Sequence, residues 1–183
     1  MRPVVVKVGG GLLGASGALE RVCVAVATLG RREALVVVPG GGPFADAVRE
    51  LDRELGLSPE AAHWMAILAM DQYAHLLADR IRGGRLVEEP GAIAAVLTAG
   101  EIAVLAPSRW LRAADTLPHS WDVTSDSVAA FVAGALDAVR LELVKPAEVG
   151  KEGVDACFAT VVPAGLEVKI VGWERFVREV SSP

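Results

Sequence analysis

A lysine inside a short apolar run, followed at once by three glycines, is a combination suited to holding phosphate. The stretch reads Val4-Val5-Val6-Lys7-Val8-Gly9-Gly10-Gly11-Leu12-Leu13. Glycines at a strand end let backbone amides curl around an anion, and a helix beginning after them adds the positive end of its dipole. Lys7 places a mobile point charge at the same spot. Three readings of this stretch compete. The glycines can serve only as a tight strand-to-helix turn. They can belong to a dinucleotide fold, since Gly9, Gly11 and Gly14 satisfy G-x-G-x-x-G, a weak pattern that also needs an acidic residue ending the next strand. That strand, Ala34–Val38, runs instead into Pro39-Gly40-Gly41-Gly42. The second triad favours the third reading, a phosphotransferase with two facing glycine loops. The P-loop ending Gly-Lys-Ser/Thr is absent, so the phosphate chemistry is of another type.

The next concentration of chemistry is Pro118-His119-Ser120-Trp121-Asp122-Val123-Thr124-Ser125-Asp126-Ser127, a polar loop that turns into the apolar helix Val128–Ala135. N-capping by Thr124 or Ser125, with Asp126 favourable to the helix dipole, accounts for one or two of these residues. It does not account for Asp122, Thr124, Ser125, Asp126 and Ser127 together, and a functional loop is expected. A second strand-end lysine, Lys145, closes the run Val139–Val144; alone it would read as a solvated charge. Asp71 and His75 share one helical face and could ligate a metal, but no third ligand accompanies them. Cys23 and Cys157 show neither metal spacing nor a disulfide framework and read as small buried hydrophobes.

The elements that must position these residues follow from periodicity. A helix is expected over 17–29, stopped by Gly30, and another from Pro43, with apolar residues at Phe44, Ala47, Val48, Leu51 and Leu55, ended by Gly56. Strand, glycines and helix thus occur twice, which favours parallel strands with ligands collecting at their carboxyl ends. Ser58-Pro59 is a capped helix start, and the helix should run to about Arg82 before Gly83-Gly84. It is apolar on most sides, which suits core plus a subunit interface. A short helix over 91–99, a strand at 102–105, a short helix at 108–114, a last strand at 164–171 and a last helix at 173–180 complete the chain. No linker divides it, so one domain over residues 1–183 is expected.

Composition sets the outer bounds. At 183 residues, 52% hydrophobic and 22% charged, the chain can bury a real core. Mean hydropathy is +0.42, yet Glu101 interrupts the longest apolar stretch and Pro107 closes it, short of a membrane span. Lys7 and the glycines break any amino-terminal signal sequence, so a cytoplasmic location is expected. A net charge of −5 without a basic cluster argues against nucleic acid as a partner.

Taken in order, Lys7-Val8-Gly9-Gly10-Gly11, Pro39-Gly40-Gly41-Gly42-Pro43-Phe44, Thr124-Ser125-Asp126 and Leu143-Val144-Lys145-Pro146 resemble the amino acid kinase superfamily. The resemblance implies a three-layer αβα sandwich on a mainly parallel sheet, assembled as a homodimer or higher homo-oligomer. Its acceptor half would cover about 1–115 and its nucleotide half about 116–183. Pro39–Asp46, His63–Asp71 and Ser120–Ser127 look like the branch of methanofuran biosynthesis that phosphorylates a phosphate-bearing furan acceptor. The resemblance gives Lys7, Asp126 and Lys145 catalytic roles, Asp126 orienting the two lysines and Lys145 neutralising the departing ADP. Gly9, Gly10, Gly11, Thr124 and Ser125 would hold phosphates. Gly40, Gly41, Gly42, Phe44, Arg49, Trp121 and Asp122 would bind the acceptor, with Trp64 and Arg109 as further candidates for its ring and its phosphate. ATP with Mg²⁺ is the implied donor, because repulsion between two phosphates must be screened. No protein-held metal is expected.

One departure stands out. The connection Ala147-Glu148-Val149-Gly150-Lys151-Glu152-Gly153 is shorter than the family's usual adenine-surrounding loops. Weaker ATP binding, another donor, or a non-catalytic binding or regulatory member are therefore rival expectations, as is a uridylate-type phosphate-acceptor kinase.

Overall fold

Strands made of consecutive valines and leucines, with no polar face, must be covered on both sides. In the computed structural model, which describes residues 2–150 and 153–182, β1 (Val4–Val8) and β2 (Leu35–Pro39) are buried at every position. β4 (Ile102–Leu105) is buried throughout as well, and β5 (Arg140–Lys145) at its four central residues. With β3 (Gly84–Val87) and β6 (Glu167–Gly172) they form a six-stranded, all-parallel sheet in the order β3-β4-β2-β1-β5-β6.

The helices are α1 (Ala18–Leu29), α2 (Gly42–Leu55), α3 (Pro59–Arg80), α4 (Pro90–Thr98), α5 (Ser108–Ala114), α6 (Ser125–Ala135), α7 (Phe158–Val161) and α8 (Trp173–Ser181). Because side chains alternate along a strand, the two faces carry separate cores. Val4, Val6, Val8, Leu35, Val37 and Val144 pack with α1 and α8. Val5, Val36, Val38, Leu141 and Leu143 pack with α4, α5 and α6. Helix α3 serves both, giving Trp64, Ile67 and Met70 to the second core and Tyr73, Ala74 and Leu77 to the first. Its apolarity on most sides is thus largely intramolecular. Leu68 stays 47% exposed.

Most expected elements are present, with boundaries moved by up to three residues, the largest shifts at the starts of α6 and β6. Ser58 caps α3 as its type predicts, its Oγ accepting from the Ala61 amide at 3.2 Å. Gly56 ends α2 in the left-handed conformation, φ 64°. Gly30 ends α1 for another reason: its φ is −63°, and a Cβ there would lie 2.4 Å from Ile102 Cδ1, so the residue is small for packing. Two elements escaped the pattern. β3 is an edge strand beginning in a glycine pair and buried only at Val87, and α7 is a single turn. Of the connection over 147–153, Lys151 and Glu152 lie outside the described residues.

Strand order fixes where a ligand can sit. From β1 the chain adds β2, skips outward to the edge strand β3, comes back to insert β4 between them, and then places β5 and β6 on the other side of β1. The carboxyl ends of β1 and β5 are therefore a topological switch point, where a crevice opens between the flanking loops.

Candidate active site

The alternation that separates the cores also aims the lysines. Lys7 shares the face of Val5, and Lys145 the face of Leu141 and Leu143, so both point toward the start of α6. There Asp126 takes both. Lys145 Nζ donates to Oδ2 at 2.6 Å, and Lys7 Nζ stands 3.0 Å from Oδ1. The second contact is an ion pair whose geometry misses that of an aligned hydrogen bond, leaving Asp126 Oδ1 without a hydrogen-bond partner among the described residues. All three side chains are nearly enclosed, at 6%, 6% and 12% exposure for Lys7, Asp126 and Lys145. Burial pushes the Lys7 ammonium below its ordinary value, with Asp126 opposing and Lys145 adding to the fall. Burial would raise the Asp126 carboxyl, but Lys7 and then Lys145 outweigh it and hold it below the ordinary carboxylate range. Two cations around one anion leave this cluster with an excess positive charge, taken out of bulk water where charges act strongly.

The glycine triads meet above these lysines. A Cβ on Gly10 would fall 2.1 Å from the Gly42 nitrogen, and one on Gly40 would fall 2.4 Å from the Gly10 nitrogen, so the two loops touch backbone to backbone. Gly42, at φ 55°, also needs the left-handed region. The residues divide differently from the sequence expectation. The Gly9 amide donates to Val144 O at 3.0 Å, and the Gly40 amide to Val8 O at 2.8 Å. Both amides are spent on strand ends and cannot hold phosphate. Gly10 and Gly11 open a 3₁₀ helix over Gly10–Gly14, and Gly41 and Gly42 open α2. Their amides occupy first turns, where no preceding helical carbonyl is available to them.

These groups line a cavity of about 590 Å³ that contains Lys7, Gly10, Gly11, Gly41, Gly42, Thr124, Ser125, Asp126 and Lys145. It extends along α2 and α3, where Arg49, Asp52, His63, His119 and Trp121 complete the wall. Trp121 Nε1 donates to Asp52 Oδ2 at 2.7 Å, and the Arg49 guanidinium lies 4.9 Å from the Trp121 ring centroid. Four of the expected acceptor residues lie outside the lining of this cavity. Phe44 packs on the α1 side of the sheet, Asp122 is exposed with its carbonyl accepting from the Cys157 amide, and Trp64 belongs to the second core. Arg109 pairs with Glu88 and Glu89, away from the cavity. Asp71 has a structural contact: its Oδ1 accepts from the Ser108 amide at 3.0 Å and fastens α5 to α3. Cys23 is buried as expected, whereas Cys157 is only half-buried.

Sequence patterns gave no sign of Asp155. Its Oδ2 accepts from the Thr124 amide at 3.0 Å, the Thr124 hydroxyl at 2.7 Å and the Ser127 amide at 3.0 Å, while Oδ1 accepts from the Ser127 hydroxyl. This carboxylate ties the start of α6, and with it Asp126, to the segment between β5 and β6. The residue stands isolated in Gly153-Val154-Asp155-Ala156 and belongs to no motif. Asp155→Ala should lower stability by about 2 kcal/mol through the loss of these charge-assisted bonds. Urea denaturation measures that change.

Beyond Lys145 a second cavity of about 340 Å³ is bounded by Pro146, Glu148, Trp173, Arg175 and Arg178, at the start of α8.

Residues 2–148 match the profile of the amino acid kinase family. The chain belongs to that family. A curated relative, the [5-(aminomethyl)furan-3-yl]methyl phosphate kinase of Methanocaldococcus jannaschii, is 32% identical over 133 residues. The match covers 73% of this chain and spans 61% of the relative's length. Among solved structures, the uridylate kinase from Archaeoglobus fulgidus superimposes with a TM-score of 0.71 at 16% identity, covering 98% of this chain and 96% of that one. That likeness concerns the αβα fold, and it agrees with the all-parallel sheet described above.

Proposed function

We propose that the chain is a kinase that transfers the γ-phosphoryl group of ATP to the phosphate of a small acceptor, [5-(aminomethyl)furan-3-yl]methyl phosphate, giving the diphosphate. The observation that carries this reading is the pair of buried lysines held by one aspartate where the two glycine loops touch. An acceptor phosphate oxygen attacks the γ-phosphorus, a new P–O bond forms, the bond to the β,γ-bridging oxygen breaks, and ADP leaves. Such transfers need little covalent help and depend on positioning and charge stabilisation.

Each group has a place in that scheme. Lys7, with the Gly10 and Gly11 amides, faces the transferred group, where equatorial oxygens carry the developing charge. The Gly41 and Gly42 amides at the start of α2 hold the acceptor phosphate. Lys145 faces the leaving side, and the second cavity beyond it, with Arg175 and Arg178, is the place for the nucleotide. Asp126 keeps the two ammonium groups apart and aimed, and takes no proton.

No group of three or more His, Cys, Asp or Glu side chains among the described residues could cage a metal ion. In this reading magnesium enters as part of the Mg-ATP substrate, held mainly by phosphate oxygens, as its reluctance to dehydrate favours. No helix among the described residues is long and apolar enough to cross a membrane, and we place the enzyme in the cytoplasm as a homo-oligomer.

The experiment is ADP release in the presence of Mg-ATP, measured with the furan phosphate and with uridylate. Turnover of the furan compound well above uridylate supports the reading. Preference for uridylate would reassign the acceptor, and no ADP release above background with either would remove the kinase assignment.

A further inference from the structure

One buried polar group in the cavity is left over by this scheme. His63, on α3, is 8% exposed and lines the cavity wall. Its ring stacks on His119 with centroids 4.2 Å apart and planes 16° apart, and stands edge-on to Trp64 at 4.8 Å. Yet neither of its nitrogens has a hydrogen-bond partner among the described residues. His119, by contrast, has its Nε2 2.9 Å from Asp115 Oδ1. Asp126 Oδ1 is the one fully enclosed side-chain polar atom left without a partner among the described residues, so the His63 nitrogens open onto the cavity, where an entering group can bond to them in place of water. Burial and then His119 lower the His63 pKa, which keeps the ring neutral, with one N–H and one free lone pair.

The surroundings favour one kind of partner. The cavity follows α2 from its glycine end to Asp52, and the Trp121 bond to Asp52 draws the loop bearing His119 to that far end. Asp52 lines the cavity there, its carboxylate accepting from the Trp121 indole and from the Leu57 amide at 3.0 Å, and Asp115 pairs with His119. Against them, Arg49 is tied to Asp46 at 2.8 Å, and the Arg112 guanidinium lies over the Trp64 ring at 4.4 Å. Positive charge is concentrated instead at Lys7 and Lys145. A ligand spanning the cavity therefore meets cations and amides at the glycine loops, and Asp52 with the neutral His63 imidazole at the other end.

We propose that His63 is a specificity-determining residue that accepts a hydrogen bond from a protonated primary amine on the acceptor, so that the cavity selects zwitterionic acceptors with phosphate and ammonium at opposite ends. This rests on the reading of the cavity as the acceptor site.

The test compares kcat/KM for [5-(aminomethyl)furan-3-yl]methyl phosphate with that of its counterpart bearing methyl in place of aminomethyl. Wild type should favour the amine by on the order of 10–100-fold, the range expected for a charge-assisted hydrogen bond. His63→Phe keeps a ring against His119 and Trp64 but removes both nitrogens. It should bring the ratio close to one, chiefly by raising KM for the amine. His63→Gln, which restores an accepting oxygen, should recover part of the preference. A wild-type ratio near one overturns the proposal without any variant, as does an unchanged ratio in a folded His63→Phe. Either result leaves the kinase reading standing. Turnover of neither compound by wild type would remove both.

Discussion

On the proposed kinase reading, Lys7→Ala should lower phosphoryl transfer by on the order of 10³-fold, read as kcat in a coupled ADP-release assay. Removing one preorganised donor from a developing anion costs about 10²–10³-fold, and cationic contacts in phosphoryl transfer reach higher. Lys7 combines the two, because its ammonium is held by Asp126 and lies beside the Gly10 and Gly11 amides in an enclosed site. The fold should survive. Asp126 keeps its 2.6 Å bond to Lys145, so no buried charge is left alone, and truncation removes an ammonium that burial already disfavours. A Tm near that of wild type, together with lost turnover, is the expected combination. Turnover within threefold of wild type would take Lys7 out of the mechanism.

Asp126→Ala acts on stability as well as on rate. It leaves two lysines, 6% and 12% exposed, facing one another with no carboxylate in direct contact among the described residues. Removing one partner from a buried ion pair costs about 3–5 kcal/mol, and here a single residue serves two pairs. Urea unfolding at neutral pH should show a loss of that size, and added polyphosphate or Mg-ATP should recover part of it by supplying the missing anion. The same logic fixes a pH dependence. The folded-state pKa of Asp126 lies below its unfolded value, so its stabilisation is fully present above the unfolded value and is lost as pH falls through the folded one. The acid limb of wild-type stability should therefore flatten in the variant. Equal stability of the two proteins at neutral pH would contradict the ion-pair geometry.

Much of this site was legible because its parts obey local rules. A lysine within an all-buried strand and glycines at two adjacent strand ends are visible in any window of the sequence, and a hydroxyl-rich helix start preceding Asp126 is equally local. What connects them is not local. Whether the Gly9 and Gly10 amides are free depends on the register of β1 against β5, and that register gives the Gly9 amide to Val144. Asp155 reaches back to Thr124 and Ser127 across the whole of α6 and β5, and nothing in its neighbours marks it. Phe44 follows a glycine triad as an acceptor-binding residue would, yet helical periodicity turns it to the α1 core. Arg49 and Trp121 belong to separate stretches of the sequence, and the structure brings them face to face on the cavity wall. The missed strand β3 has the same origin, since a half-exposed edge beginning in glycine carries little β signal of its own and takes its conformation from β4.

The most direct test of the central claim is ³¹P NMR of the protein incubated with Mg-ATP and [5-(aminomethyl)furan-3-yl]methyl phosphate, for wild type and Lys7→Ala. The account predicts that wild type converts the acceptor's monophosphate signal into the paired resonances of a diphosphate as ADP accumulates, and that Lys7→Ala does not. An unchanged acceptor signal in wild type, with ATP intact or lost only to inorganic phosphate, would contradict it.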